Sequence, residues 1–213
     1  MSHNFEIKIC GISNKLCMDA AIESKTDYIG LVFYDKSPRN LSLGDAKKLL
    51  KNRNQHSKIV ALTVNSDDDF IKDIEQNIKP DYFQLHGNET PLRCKEIKER
   101  FKIPIIKGIG IKSNLDLIKA NQNYENLCDI LLLDSPSTNL PGGNGEIFNW
   151  NILKNYEPSK KWMLAGGLNI NNIEKAVKVS NPPAIDISSG VEISKGIKDP
   201  EMIKNFITKC RNI

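Results

Sequence analysis

Eight times along 213 residues, a short apolar run gives way to a segment with helical spacing. The strand-like runs fall at 6–10, 28–33, 58–64, 82–85, 103–109, 129–134, 161–165 and 184–188. The helical segments between and after them are 15–23, 43–51, 68–76, 90–100, 115–120, 149–154, 171–178 and 200–210. The strand signals recur at intervals of roughly 20 to 33 residues, the spacing of βα units. Such units build a parallel sheet covered by helices, and eight is the number at which that sheet closes on itself. A doubly wound open sheet is the competing arrangement, but no Gly-x-Gly-x-x-Gly follows the first run. No linker, low-complexity tract or break in composition interrupts the alternation. The chain is therefore expected to be of the α/β class, a single (β/α)8 TIM barrel forming one domain over residues 1–213. Ser13, Ser42, Ser66, Asn88, Ser113 and Asn169 stand where N-caps are expected. Pro91 and Pro200 suit a first helical turn.

Several function classes are set aside at this level. No run approaches the ~18 apolar residues of a membrane span, and Met1-Ser2-His3-Asn4 opens no signal peptide, so the cytoplasm is the expected location. Five cysteines with no Cys-x-x-Cys pair fit free thiols in a reducing compartment. Cys17, Cys94, Cys128 and Cys210 read as ordinary packing. A net charge of +4 is spread over scattered lysines, without a basic stripe or interleaved aromatics, so no nucleic-acid partner is expected. Neither a membrane nor an obligate protein partner is signalled. The three histidines lie in no ligand spacing, and no metal site is expected.

A barrel keeps its chemistry at the C-terminal ends of its strands. Two of those ends, Met163-Leu164-Ala165-Gly166-Gly167 and Ile185-Asp186-Ile187-Ser188-Ser189-Gly190, run from apolar residues into small ones. Glycine lets backbone N–H groups close on an anion, and a following helix start would add partial positive charge. The last two strand ends of a barrel in this form imply a phosphorylated small-molecule ligand. The first strand ends in Cys10, which shares a face with residues 6 and 8 and points into the mouth if that face is interior. The sixth ends in Asp134 after three leucines. These are the only strand ends that look like a base and an acid, although a small core residue and a loop-ordering carboxylate are the plainer readings. Arg39 is one of five arginines against twenty-five lysines, and among the arginines it alone falls in a loop at the strand C-terminal face. A planar fork there fits a carboxylate, with a solvated loop residue as the alternative. His86 closes the fourth strand and reads as structural or substrate-lining, with an acid–base group as the alternative. The Gly- and Pro-rich stretch 135–148, with its Gly142-Gly143-Asn144-Gly145 run, is a candidate lid.

The motifs Lys8-Ile9-Cys10-Gly11, Gly30-Leu31-Val32-Phe33 with Ser37-Pro38-Arg39, Gln84-Leu85-His86-Gly87 and Leu132-Leu133-Asp134 occur in this order. They are followed by Gly142-Gly143-x-Gly145-x-x-Phe148-x-Trp150, Leu164-Ala165-Gly166-Gly167-Leu168-Asn169 and Asp186-Ile187-Ser188-Ser189-Gly190-Val191-Glu192. As a set spanning nearly the whole chain, they closely resemble the phosphoribosylanthranilate isomerase family of tryptophan biosynthesis. The chain departs from the family pattern at Asn144, Asn149 and Ile170, which touch the lid and helix starts but none of the residues assigned to chemistry.

The resemblance implies an Amadori rearrangement of N-(5-phosphoribosyl)anthranilate to 1-(2-carboxyphenylamino)-1-deoxyribulose 5-phosphate, needing neither metal nor redox cofactor. Asp134 matches the acid and Cys10 the base. Arg39 would hold the anthranilate carboxylate. Gly166, Gly167, Ser189 and Gly190 would hold the phosphate with the Ser188 and Ser189 hydroxyls, and His86 and Asp186 would line the substrate. An ordinary aspartic acid is half-protonated at neutral pH only if its surroundings disfavour the charge by about 4 kcal/mol. A thiol needs a smaller push toward thiolate. Lys8, on the same face as Cys10, is expected to supply it; pairing with an inward carboxylate such as Asp186 is the alternative. The competing functions are another sugar-phosphate isomerase or epimerase of the same barrel class, and a non-catalytic sugar-phosphate-binding barrel.

Overall fold

The computed structural model describes residues 5–51, 56–136 and 149–213. Within them eight parallel strands close a barrel in sequence order, with the first paired to the eighth. The strands are β1 (Glu6–Cys10), β2 (Tyr28–Phe33), β3 (Lys58–Thr63), β4 (Tyr82–Leu85), β5 (Ile105–Gly110), β6 (Ile130–Asp134), β7 (Lys161–Leu164) and β8 (Ala184–Ile187). Around them run α1 (Lys15–Glu23), α2 (Leu43–Leu50), α3 (Asp68–Ile78), α4 (Pro91–Phe101), α5 (Asn114–Tyr124), α6 (Ile173–Ser180) and α7 (Pro200–Arg211). A small antiparallel hairpin, β9 (Glu192–Ser194) and β10 (Ile197–Lys198), stands between β8 and α7. No helix among the described residues is long and apolar enough to cross a membrane.

Both faces of every strand are covered, which is why the strands read as continuous apolar runs and not as alternation. Ile7 and Ile9 of β1 face the helices within the large core layer between sheet and helices. Residues 6, 8 and 10 face the barrel axis, with Lys8 wholly buried. Val60, Ile106, Ile130, Leu132, Met163 and Ala184 fill the interior as a dry layer. Below this layer the N-terminal end is plugged. Lys161 pairs with Glu6 and reaches the Tyr28 hydroxyl at 3.2 Å. Tyr28 meets Tyr82 edge to face at 5.8 Å, and the Lys58 ammonium stands 5.1 Å from the Tyr28 ring. Burial, with the Glu6 carboxylate beside it, pushes the Tyr28 phenol far above its ordinary range.

Ser42 and Ser113 cap α2 and α5 as expected, the latter in a reciprocal box with Asp116. The caps of α1, α3 and α4 are Asn14, Asp67 and Thr90, not Ser13, Ser66 and Asn88. In each case a second capping-type side chain lies nearer the first helical turn and takes the N–H groups. Asn172 stands at the start of α6, and Asn169 orders the turn before it by accepting the Asn171 N–H at 2.9 Å. The helix expected over 149–154 is a single 3-10 turn, Trp150–Leu153. The lid candidate lies outside the described residues from 137 to 148.

Candidate active site

Parallel register decides which side chains share the mouth. Lys8 of β1 stands directly opposite Asp186 of β8, and Cys10 opposite Gly30 of β2. Lys8 Nζ donates to Asp186 Oδ1 at 2.9 Å, with Lys8 fully buried and the Asp186 side chain 8 % exposed. Both charges therefore sit beneath the thiol. A Cβ on Gly30 would lie 3.0 Å from Cys10 Sγ and 3.2 Å from Lys8 Nζ, so the bare backbone there leaves room for both groups. Burial works against the Lys8 charge, but Asp186 and the Cys10 sulfur outweigh it and raise the ammonium above its ordinary range. Burial pushes the Cys10 thiol up, against the pull of Lys8. The expectation that Lys8 would leave Cys10 below an ordinary thiol is thus corrected. The pull exists, desolvation exceeds it, and the pairing with Asp186 given as the alternative is present.

Across the mouth, Asp134 ends β6. Its Oδ1 accepts from the Ser135 N–H at 2.7 Å and the Ser135 hydroxyl at 3.3 Å. Its Oδ2 faces His86 Nε2 at 3.4 Å. Among the described residues, no lysine or arginine stands in ion-pair range of this carboxylate. Gln84, fully buried, places its amide nitrogen 3.0 Å from His86 Nδ1. With the amide so turned, the neutral ring carries its proton on Nε2, toward Asp134. The turn that carries His86 is fixed from outside the barrel by Lys107, which donates to the Leu85 and Gly87 carbonyls and to Glu89 at 3.0 Å.

Cys10, Arg39, His86, Asp134, Asp186 and Ser188 line one open pocket with about 430 Å³ of free space. A second recess of about 290 Å³ shares Asp134, Asp186 and Ser188 with it and continues along Gly166, Gly167 and Ser189. Gly166 adopts φ +86°, and a Cβ there would fall 2.5 Å from the Ser135 nitrogen. Only glycine fits without strain, because the loop after β7 presses on the one after β6. Gly190 packs equally closely on the Leu168 carbonyl, where a Cβ would fall 2.0 Å from the oxygen. The two small-residue strand ends are therefore one continuous wall. The expected helix start directly after β8 is instead one 3-10 turn, Ser189–Val191, followed by the hairpin. The Ser188 hydroxyl donates to the Cys10 carbonyl at 2.9 Å, which ties β8 to the end of β1.

Arg39 is buried, and its fork is engaged: Nε donates to Glu192 Oε1 at 2.6 Å and Nη2 to Oε2 at 2.9 Å. Lys198 donates to the same Glu192 at 2.8 Å, and also to the Ser188 carbonyl at 2.8 Å. Arg39 and Lys198, with the Gly196 N–H, override burial and hold the Glu192 carboxyl down at about 2. Neither Lys198 nor the Glu192–Arg39 pairing is legible from residue spacing, because 153 positions separate the partners. The closing Glu192 of the last motif was the one available signal. A larger groove, about 870 Å³, lies around Lys98, Lys102 and Asp129 near the foot of β5, away from every strand C-terminus. Its Lys98 and Asp129 pair with each other at 2.8 Å.

Residues 7–209 match the family model described as N-(5'-phosphoribosyl)anthranilate (PRA) isomerase. The N-(5'-phosphoribosyl)anthranilate isomerase of Rhodopseudomonas palustris (strain BisA53) is 39 % identical over 209 residues, 97 % of this chain and 95 % of that one. The phosphoribosyl anthranilate isomerase structure from Thermotoga maritima superposes with a TM-score of 0.88 at 33 % identity, covering 98 % of this chain and all of that one. A phosphoribosyl anthranilate isomerase crystallised with reduced 1-(o-carboxyphenylamino)-1-deoxyribulose 5-phosphate gives 0.86 at 32 % identity, over 98 % and 100 % of the two chains.

Proposed function

This chain belongs to the N-(5'-phosphoribosyl)anthranilate isomerase family and is an isomerase of tryptophan biosynthesis, and we propose that it performs the rearrangement with Asp134 as general acid and Cys10 as general base. Asp134 gives its proton to the ring oxygen of the phosphoribosyl group, and the C1–O bond breaks to leave a protonated Schiff base. Cys10, as thiolate, then takes the proton from C2, and the electron pair flows toward nitrogen to form an enolamine. Tautomerisation places a proton on C1 and releases one from the C2 hydroxyl, so the product is an isomer of the substrate. One acid and one base on opposite sides of the sugar suffice.

The observation that supports this reading most is that Cys10 and Asp134, 124 positions apart, line one pocket together with Arg39. The two groups stand in different surroundings: Asp134 has the Ser135 N–H and hydroxyl and the His86 ring beside it, whereas Cys10 stands over the Lys8 ammonium. In this scheme the phosphate lies against the backbone of Gly166, Gly167, Ser189 and Gly190, with the Ser189 hydroxyl as a further donor. Ser188 orients the end of β1 instead. Asp186 keeps Lys8 charged, and Arg39 meets the anthranilate carboxylate. The substrate is then held at both ends, which lowers the barrier by orientation. The chain 1–213 works as one catalytic unit in this scheme, and five buried free thiols suit a reducing cytoplasm.

The test is a steady-state assay following loss of substrate fluorescence, with complementation of a tryptophan-requiring strain. Cys10→Ala and Asp134→Asn are each expected to lose activity by about 10²–10⁴-fold or more and to fail to complement. A Cys10→Ala protein with near-native turnover would end the assignment.

A further inference from the structure

We propose that Glu192 is a positioning residue for the isomerisation: it fixes the plane of the Arg39 guanidinium that meets the substrate carboxylate, and through Lys198 it ties that end of the pocket to the phosphate end. The inference rests on the reading of Arg39 given above. Two of the guanidinium's nitrogens are already held by the two Glu192 oxygens, so the plane of the fork is set before any ligand arrives. What a fixed plane offers a second carboxylate is direction, and a planar cation gains most from it.

The hairpin that carries Glu192 turns its charged side chains toward this end of the pocket. The register of β9 and β10 puts Lys198 directly across from Glu192. The Gly196 N–H at the turn donates to Glu192 Oε2 at 3.0 Å. That turn lies on the backbone just ahead of Arg39: Gly196 has φ +86°, and a Cβ on it would fall 2.8 Å from the Pro38 carbonyl oxygen. The hairpin's apolar residues, in contrast, add nothing to the core, since Ile193 is 67 % exposed and Ile197 55 %. The Glu192 and Lys198 side chains converge on Arg39 and on Ser188, whose hydroxyl in turn holds the Cys10 carbonyl. With its carboxyl held at about 2, Glu192 is charged throughout the range in which the enzyme works.

The experiment compares KM, kcat and competitive inhibition by inorganic phosphate in Glu192→Gln, Arg39→Lys and the double variant, with melting temperature as the folding control. Glu192→Gln removes a charge-assisted fork and is expected to raise KM about tenfold, with kcat within about threefold and phosphate inhibition within about twofold of wild type. Arg39→Lys is expected to raise KM on its own, and adding Glu192→Gln to it is expected to change KM by less than about twofold, because the two act as one unit. Should Glu192→Gln fail to fold, Glu192→Asp serves as the test, with KM raised about threefold at unchanged kcat. An unchanged KM in folded Glu192→Gln, or in Glu192→Asp, overturns the inference. So does a parallel rise in KM and in the phosphate constant, which would make the residue a general brace. If Arg39→Lys raises KM and Glu192→Gln does not, only the role of Glu192 fails. If Arg39→Lys leaves KM unchanged, the reading of Arg39 fails and this one with it.

Discussion

The two sides of the mouth are built on opposite principles. On the β1–β8 side the thiol stands beside a buried ion pair, Lys8 and Asp186, with the dry interior layer below. On the β4–β6 side the carboxylate has the Ser135 N–H, the His86 imidazole and the Ser135 hydroxyl around it. A base that must carry negative charge gains from a cation placed behind it. An acid that must keep a proton near neutrality is served by having none. The difference is visible in where buried charges stand at the mouth: one pair lies behind the sulfur and another at Arg39 and Glu192, and among the described residues no lysine or arginine pairs with Asp134.

The strongest way to break this contrast is to separate the two half-reactions. Cys10→Ala should still open the sugar ring, so that borohydride reduction traps substrate as the ring-opened amine, whereas Asp134→Asn should give little trapped material. Overall turnover should fall in both, by about 10²–10⁴-fold or more. Equal trapping in the two variants would erase the distinction between the sides. Next in size is Lys8→Met, which leaves Asp186 buried without its partner. Breaking a buried pair in this way costs about 3–5 kcal/mol, and Lys8→Met/Asp186→Asn should recover most of it in urea unfolding. The same single variant should move the pH profile of Cys10 alkylation to higher pH, since it removes the group that favours the thiolate; an unmoved profile would mean the ammonium does not act on the sulfur.

A third test uses the sign of the Cys10 shift. Burial holds the thiol above its ordinary range, so the active thiolate fraction, and with it kcat/KM, should still be climbing with pH at the value where a solvent-exposed cysteine has levelled off. The same shift makes the neutral form part of the folded state's stability. That contribution is present below the unfolded thiol's range and is lost as pH rises through the raised folded value. A plateau at the ordinary thiol value would sink both statements. The smallest expected effect belongs to the second residue behind the acid. Gln84→Leu frees the His86 ring to change tautomer and should lower kcat by about tenfold or less, with KM little changed.

The barrel and half of this contrast are legible in the residues themselves. Eight apolar runs predict the closed sheet, and a period of two on residues 6, 8 and 10 puts Lys8 on the thiol's face. Asp134 and the two small-residue strand ends follow from position alone. What sequence spacing cannot carry is pairing between distant loops. The Glu192–Arg39 fork, the Lys198 bridge and the Lys107 clamp under His86 join segments whose approach depends on closure of the whole ring. The helix starts show the same limit on a smaller scale: Ser13 and Asn14 are both competent caps, and one residue of phase decides between them. The balance at Cys10 was illegible for another reason, since desolvation depends on how completely Gly30, Val32 and Leu62 close around the sulfur.

The plug of Glu6, Tyr28, Lys58, Tyr82 and Lys161 has a consequence for isotope tracing. Among the described residues, the cork and the hydrocarbon layer above it close the lower path, so hydrogen lifted from the sugar leaves on the mouth side, where the substrate is bound. Deuterium placed at C2 should therefore linger on the sulfur, and a measurable share should reappear at C1 of the product before bulk water washes it away.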